Sequence, residues 1–495
     1  MKLPEYDTAD AVELARWVRD GEVSAEELLD AAIERIESRN PDLNAVVLKH
    51  FERARKNVHS LPDGPLKGVP FLVKNLKLQL NGTITTDSTT LHKNKVATAT
   101  SLIAARYESA GLQILGKTNS PEFGIMGTTE PQMHGATKNP WNTNHTSGGS
   151  SGGSASAVAA AMVPAAHSGD GGGSIRIPAS CCGLFGLKPT RGRVSLAPFA
   201  GEKWGGFVQE HVVTRSVRDS ALLLDIVGQP TIGEPYAAPA KARPYVDEVK
   251  TAPKPLRIGF TTESLFGGDA HPECREAVQD AVALLTDLGH TVVEETLPFH
   301  REDLVHAYFI IVAAGVARAV ETTAAYAQKK PASKDFEAAT WILAQIGWAT
   351  RASEYEWARE VIQRDARAIA AHFQSCDVYL TSTMGRPPAT LGTLPPSRSE
   401  KLQLALLRKV GTRRLLQHVL HEIGNGKLVY TPNTQLFNQT GQPAMSVPLF
   451  WNTAGLPIGI QLAGRFGDEA TLFQLAAQLE EARPWAARLS ALHNP

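Results

Sequence analysis

Apolar and polar positions along this chain follow two periods that switch repeatedly. Near the N-terminus the spacing is helical. Residues 10–19 predict one helix. A second starts at Ser24, where Glu27 completes a capping-box pattern and Leu28, Leu29, Ala32 and Ile36 then share one face. The segment GVPFLVKN (68–75) is a compact apolar run, a strand over 69–73 that delivers Lys74 at its end. A helix over 99–110 leads into a strand over 113–115. The small apolar stretch 155–166, interrupted by Ser156 and Pro164, is too short to span a bilayer and predicts a buried core helix. Residues 228–255, rich in Pro and Ala, predict a surface crossing. Beyond them LRIGF (256–260), a helix over 276–288 and TVVEE (291–295) alternate as strand, helix, strand. Residues 303–373 read as helical throughout, carry Trp341, Trp348 and Trp357, and predict a helical insertion that shapes a pocket. The strand DVYL (377–380), the pieces AMSVPL (444–449) and IGIQLAG (458–464), and a helix over 469–482 follow. The alternation predicts an α/β protein with helices on both faces of a central sheet.

Composition narrows the function classes. The 495 residues are 43% hydrophobic and 20% charged, ordinary for a globular protein with a large core. Lys plus Arg and Asp plus Glu both total 50, so the formal net charge is zero. Such a chain has no long-range field for nucleic acid or an anionic membrane, and a small, largely uncharged ligand is expected. The four cysteines, Cys181, Cys182, Cys274 and Cys376, form no CxxC and no disulfide framework. Buried free thiols in a reducing compartment are the expectation. The N-terminal stretch lacks the pattern of a signal peptide, so a cytoplasmic location is expected.

Two literal motif matches, and the histidine count, are weakened by their context. GLQILGKT (111–118) satisfies the phosphate-loop spacing, but its Leu-Gln-Ile-Leu interior is strand rather than a flexible glycine loop. GGSSG (148–152) satisfies GxSxG, the nucleophile elbow of α/β-hydrolases. No strong apolar strand precedes it, and nothing marks His167, His211 or His421 as its base. The fifteen histidines show no metal-ligand spacing, so no metal and no cofactor are expected.

The stretch HSGDGGGSIRIPASCCGLFGLKPTRGRVS (167–195) places Gly171, Gly172 and Gly173 directly before Ser174. Three glycines are entropically costly. They suit a backbone that approaches a ligand closely and aims several N–H groups at one developing oxyanion. On this run alone, an oxyanion loop and a glycine-rich turn with an exposed serine stand even. A second serine cluster, GGSSGGSA (148–155), lies upstream across an apolar stretch. A serine nucleophile needs a base. Lys74, at the end of an apolar strand, becomes a candidate because burial disfavours its charged form, and a hydroxyl between lysine and nucleophile can relay the proton.

These blocks, with GKTNSPEFG (116–124), TKNPWN (137–142) and NQTGQPAMSVPL…GLPIGIQLAGRFGDEATL, resemble the amidase signature family in order and over most of the chain. The resemblance implies one domain over 1–495: N-terminal helices in 1–60, a catalytic core in 61–227 and the helical insertion at 303–373, around a central mixed sheet. It implies Lys74 as base, Ser150 as relay behind a cis peptide bond, and Ser174 as the acylated nucleophile. Oxyanion amides map to Gly171, Gly172, Gly173 and Ser174. Asp170 and Arg176 match positions that brace the loop, and Ser151 is assigned to support with them. Where the family usually has Asp after the lysine, this chain has Asn75, which removes a charge and is expected to leave Lys74 more easily neutral. Within the family the wording RIPASCCGLFGLKPTRGR is nearest to enzymes that open 6-aminohexanoate cyclic dimer and to aliphatic or aryl-acyl amidases. The expected partner is a small amide, and a homodimer is kept open. Pocket walls are expected at Met126, Gly127, Thr128, Phe309, Ile310 and Val316. The alternatives are an amidotransferase subunit with a tRNA-handling partner, an esterase using Ser150, and a binding module with a dead site.

Overall fold

The computed structural model describes residues 4–393 and 428–492. Its strands are β1 (Val46–Lys49), β2 (Pro70–Lys74), β3 (Gln113–Thr118), β4 (Lys138–Asn139), β5 (Asn142–Thr146), β6 (Ala165–Asp170), β7 (Phe185–Lys188), β8 (Gln209–Thr214), β9 (Arg257–Phe260), β10 (Thr291–Glu294), β11 (Val378–Ser382), β12 (Ala444–Trp451) and β13 (Pro457–Gly464). Eleven of them form one sheet in the order β1-β3-β2-β6-β8-β7-β12-β13-β11-β9-β10. The sheet is mixed. β2 runs parallel to both β3 and β6, β9 is parallel to β10 and β11, and β6, β8, β7, β12 and β13 pair antiparallel in sequence across the middle. Phe71, Leu72 and Val73 are all buried, as a strand covered on both faces requires.

The helices follow the sequence pattern closely at both termini. The helix Ala11–Arg19 is capped by Asp10, whose side chain accepts from the Glu13 N–H. The helix Ala25–Leu43 has the expected capping box: Ser24 Oγ accepts from Glu27 N–H, and the Glu27 carboxylate accepts from Ser24 N–H. Leu28, Leu29, Ala32 and Ile36 are buried.

Two predicted features differ. The stretch 155–166 is not one helix: the helix Gly152–Ala159 ends, Ala161 turns at φ +50°, and after Pro164 the chain enters β6. Proline disfavours continued helix, and alanines alone do not distinguish helix from a fully buried strand. The polar NTNHT before GGSSG, where no strong apolar strand is legible, forms β5, which pairs with β4 in a two-stranded ribbon.

Residues 301–372 hold three helices, Arg301–Tyr326, Ala338–Ala349 and Ala352–His372. The first is long and apolar enough to cross a bilayer by composition. Here it is a core helix instead. Val312, Val316, Ala317 and Val320 are buried with Phe123 and Phe336, and Ala313 packs with Ile342 and Ile346. Tyr308, on the first of them, reaches the loop that follows β6 and donates to the Gly171 carbonyl.

Candidate active site

Lys74, the last residue of β2, is 1% exposed. Its Nζ lies 2.8 Å from Ser150 Oγ and donates to the Gly169 carbonyl at 3.3 Å. Gly169 belongs to the neighbouring strand β6, which runs on through Asp170 into the three glycines and Ser174. Burial brings Lys74 down to about 8, against the raising pull of Glu210 and Asp170. A lysine held there has an appreciable neutral fraction near neutral pH and can accept a proton.

Ser150 is buried and preceded by a cis Gly149–Ser150 peptide. It enters the helix Gly152–Ala159, so the strand-turn-serine-helix order of an elbow is present in outline. Its base-side partner is nevertheless Lys74. His167 and His211 are spoken for. His167 Nδ1 accepts from the Lys74 backbone N–H at 3.4 Å, and His211 Nε2 pairs with Ser220 Oγ at 2.9 Å. Burial pushes His211 down to about 3. His421 lies outside the described residues. Ser151 Oγ donates to the Gly169 carbonyl and accepts from the Gly169 N–H, both at 3.3 Å, tying the relay segment to β6.

The loop before Ser174 is held by a buried ion pair. Asp170 and Arg176 are both fully buried. Asp170 accepts from Gly173 N–H (2.6 Å), Ile175 N–H (3.2 Å), Arg176 Nε and Nη2 (3.0 Å each) and Asn438 Nδ2 (2.8 Å). Arg176 directs its remaining donors to the Thr434 carbonyl, Gln461 Oε1 and Asn438 Oδ1. All five guanidinium N–H groups are thereby satisfied. Burial alone would raise the Asp170 carboxyl, but the Arg176 charge and these hydrogen bonds hold it at about 2.

This arrangement separates the glycine amides. The Gly173 N–H serves Asp170 rather than the pocket. The amides of Gly171, Gly172 and Ser174 have no acceptor among the described residues. The loop carbonyls are engaged from behind. Tyr308 Oη donates to Gly171 O at 3.4 Å and Thr434 Oγ1 to Gly172 O at 2.7 Å. The space is correspondingly tight. A Cβ on Gly172 would lie 2.1 Å from Tyr308 Oη, and one on Gly173, which adopts φ +123°, would lie 2.3 Å from Thr434 Oγ1. Only glycine fits at either position. Ser174 itself is half-buried.

The expected wall residues separate into two groups. Thr128 is buried with its backbone against Gly149, where an added Cβ would meet Thr128 C at 2.6 Å. Met126 and Gly127 are half-buried on the same loop, and Gly124 lies against Ser150 Oγ. Val316 is buried in a cluster with Phe123, Trp204 and Tyr308 beside the glycine loop. Phe309 meets Tyr308 edge-on, with ring centroids 5.6 Å apart, and also packs with Ala313, Ile342 and Ile346, while Ile310 is buried in a cluster against which Trp204 and Tyr308 pack. Asn75 also points away from the lysine. Its amide donates to Thr86 Oγ1 at 2.6 Å and its Oδ1 accepts from Thr86 N–H at 2.9 Å.

Tyr308, Thr434, Asn438 and Gln461 are the contacts sequence reasoning missed. Asn438 and Gln461 sit in the C-terminal blocks NQTGQP and IGIQLAG, whose polar residues inside apolar surroundings were the available signal. Among the described residues, Glu295, His372 and Cys376 bring ligand-type atoms within 4.8 Å of one another. They lie at the β10 and β11 edge, and the Arg257 guanidinium, 3.7 Å from Glu295, opposes a cation there.

A mixed sheet of this order carries a buried lysine and serine cluster beside a glycine loop. The chain belongs to the Amidase family, the amidase signature enzymes, whose model matches residues 27–473. It is similar to the 6-aminohexanoate-cyclic-dimer hydrolase of Pseudomonas sp. (strain NK87), 37% identical over 98% of this chain and 97% of the relative. The solved 6-aminohexanoate cyclic dimer hydrolase complexed with substrate superposes with a TM-score of 0.90 at 35% identity, covering 99% of this chain and 100% of the other. A bacterial aryl acylamidase of the amidase signature family superposes with a TM-score of 0.87 at 25% identity, covering 98% of each chain.

Proposed function

We propose that this amidase hydrolyses small, neutral, apolar carboxamides, linear or cyclic, through an acyl-enzyme on Ser174, with Ser150 as proton relay and Lys74 as base. The observation that carries this reading is the 2.8 Å contact between Lys74 Nζ and Ser150 Oγ in a buried setting, with no histidine hydrogen-bonded to Ser150 Oγ among the described residues. Ser174 Oγ attacks the carbonyl carbon. Its proton passes to Ser150, and the Ser150 proton passes to Lys74. The oxyanion faces the amides of Gly171, Gly172 and Ser174. The lysine proton then returns through Ser150 to the leaving nitrogen, the C–N bond breaks, and the amine departs. Water attacks the ester carbonyl and gives its proton along the same relay, and Ser174 is released with the acid. Phe123, Trp204, Tyr308 and Val316 supply an apolar wall for an aliphatic or aryl acyl group. The likeness to cyclic-dimer hydrolases makes aliphatic cyclic amides the first substrates to offer. The four cysteines are free and buried, which suits a reducing cytoplasm.

The test is a panel of linear, cyclic and anilide amides with intact-mass detection of acyl-Ser174. Ser174→Ala is expected to abolish both turnover and adduct while the protein still folds. Full turnover in Ser174→Ala would sink the reading, as would full activity in Lys74→Ala.

A further inference from the structure

Among the described residues Lys74 has no ion-pair partner of its own. Its Nζ meets a hydroxyl and a carbonyl, Asn75 faces Thr86, and the Asp170 charge is matched by Arg176. A base must become an ammonium during the reaction, and a buried ammonium needs a compensating charge. On the far side of the sheet stands a buried carboxylate that the mechanism above does not use. Glu210 on β8 is the cross-strand partner of Gly169 on β6. A Cβ on Gly169 would lie 2.4 Å from Glu210 Oε2, so the carboxylate fills the space that glycine leaves. The Gly169 carbonyl is the acceptor of Lys74 Nζ, which separates the two charges by about one residue. His167 shares the Glu210 face of β6, as alternate strand residues do. Its Nε2 lies 3.0 Å from Glu210 Oε2, and its Nδ1 accepts from the backbone N–H of Lys74.

We propose that Glu210 is the positioning residue for the base: a through-sheet counter-charge, coupled by His167 and Gly169, that stabilises the Lys74 ammonium as the proton arrives. The inference rests on Lys74 being the base. The surrounding charges support it. The Glu210 carboxyl is kept ionised although burial opposes this, because His167, Lys203 and Lys74 face it. Of the carboxylates acting on Lys74, Glu210 comes before Asp170. Lys203 and Lys77 line the same cavity of about 20 Å³ as Glu210 and His167, and Asp87 pairs with Lys77 at 2.7 Å. Tyr107, on the helix Leu102–Ser109, feels the Glu210 charge, and its hydroxyl is held far above its ordinary range by burial. His211, the neighbour of Glu210 on β8, turns to Ser220 and carries no charge toward the site.

The test needs no natural substrate. Phenylmethylsulfonyl fluoride sulfonylates an activated serine: the Ser174 oxygen bonds to sulfur, fluoride leaves, and the serine proton goes to Lys74 through Ser150. The rate of mass gain across pH reports the base. Glu210→Gln is expected to move the acid limb down by about one pH unit, with a lower plateau, because the lysine becomes a weaker base. Lys203→Met leaves the Glu210 charge less opposed and is expected to move the limb up. An unmoved limb in Glu210→Gln, folded by its thermal melt, overturns the proposal. If Glu210→Gln does not fold, Lys203→Met decides: an unmoved or lowered limb overturns it. Lys74→Ala separates the two levels. Wild-type sulfonylation in that variant removes lysine from the mechanism altogether. Loss of reaction there, with no limb shift in Glu210→Gln, defeats the Glu210 role alone.

Discussion

Asp170→Asn tests the brace behind the nucleophile. The substitution keeps the shape of the side chain and removes one charge. Above pH about 4 the wild-type carboxylate stabilises the fold, because its folded value of about 2 lies below the ordinary 3.8. That displacement is worth about 2.5 kcal/mol, present at neutral pH and lost as pH falls from about 4 towards about 2. The asparagine loses more. Its NH₂ takes the place of one carboxylate oxygen and gives up either the bonds from Gly173, Asn438 and Arg176 Nη2 or those from Ile175 and Arg176 Nε, and Arg176 is left as a buried cation beside a neutral amide. Removing one member of a buried, hydrogen-bonded ion pair costs about 3–5 kcal/mol, and both members here are fully buried. Urea unfolding at pH 7, followed by tryptophan fluorescence and circular dichroism, is expected to show a loss of that size. The weakened brace also loosens the oxyanion loop, so kcat/KM is expected to fall by about a hundredfold, the size of effect seen when oxyanion stabilisation is disturbed. A loss under about 1 kcal/mol with near-normal kcat/KM would refute the argument that this pair holds the loop.

Gly172→Ala places a methyl 2.1 Å from Tyr308 Oη. About a hundredfold loss in kcat is expected, with partial recovery in the Gly172→Ala, Tyr308→Phe double variant; equal activity of the single and double variants would argue against this contact. With Lys74 held at about 8, kcat/KM is expected to rise about tenfold per pH unit below that value and to level above it. A profile flat from pH 6 upward, measured on any turned-over amide, would contradict a lysine base.

Much of this protein was determined locally by its sequence. The terminal helices, β2 ending in Lys74, and the paired serine clusters were legible because capping chemistry, apolar runs and glycine steric limits act within a few residues. Even the misread stretch 155–166 failed for a local reason, since alanine suits helix and buried strand alike and β6 carries its polar residues His167, Ser168 and Asp170 inside the sheet. What only the tertiary structure decided was which distant residues meet. Strand order put β2 beside β6 and β6 beside β8, and so brought Lys74, Ser151 and Glu210 around a single glycine, Gly169. Arg176 found Asn438 and Gln461, and the glycine loop found Tyr308 and Thr434, across separations of 137 to 285 residues. Periodicity states that a residue is buried; it carries no term for its partner, because non-local pairing depends on the whole sheet closing around one shared core.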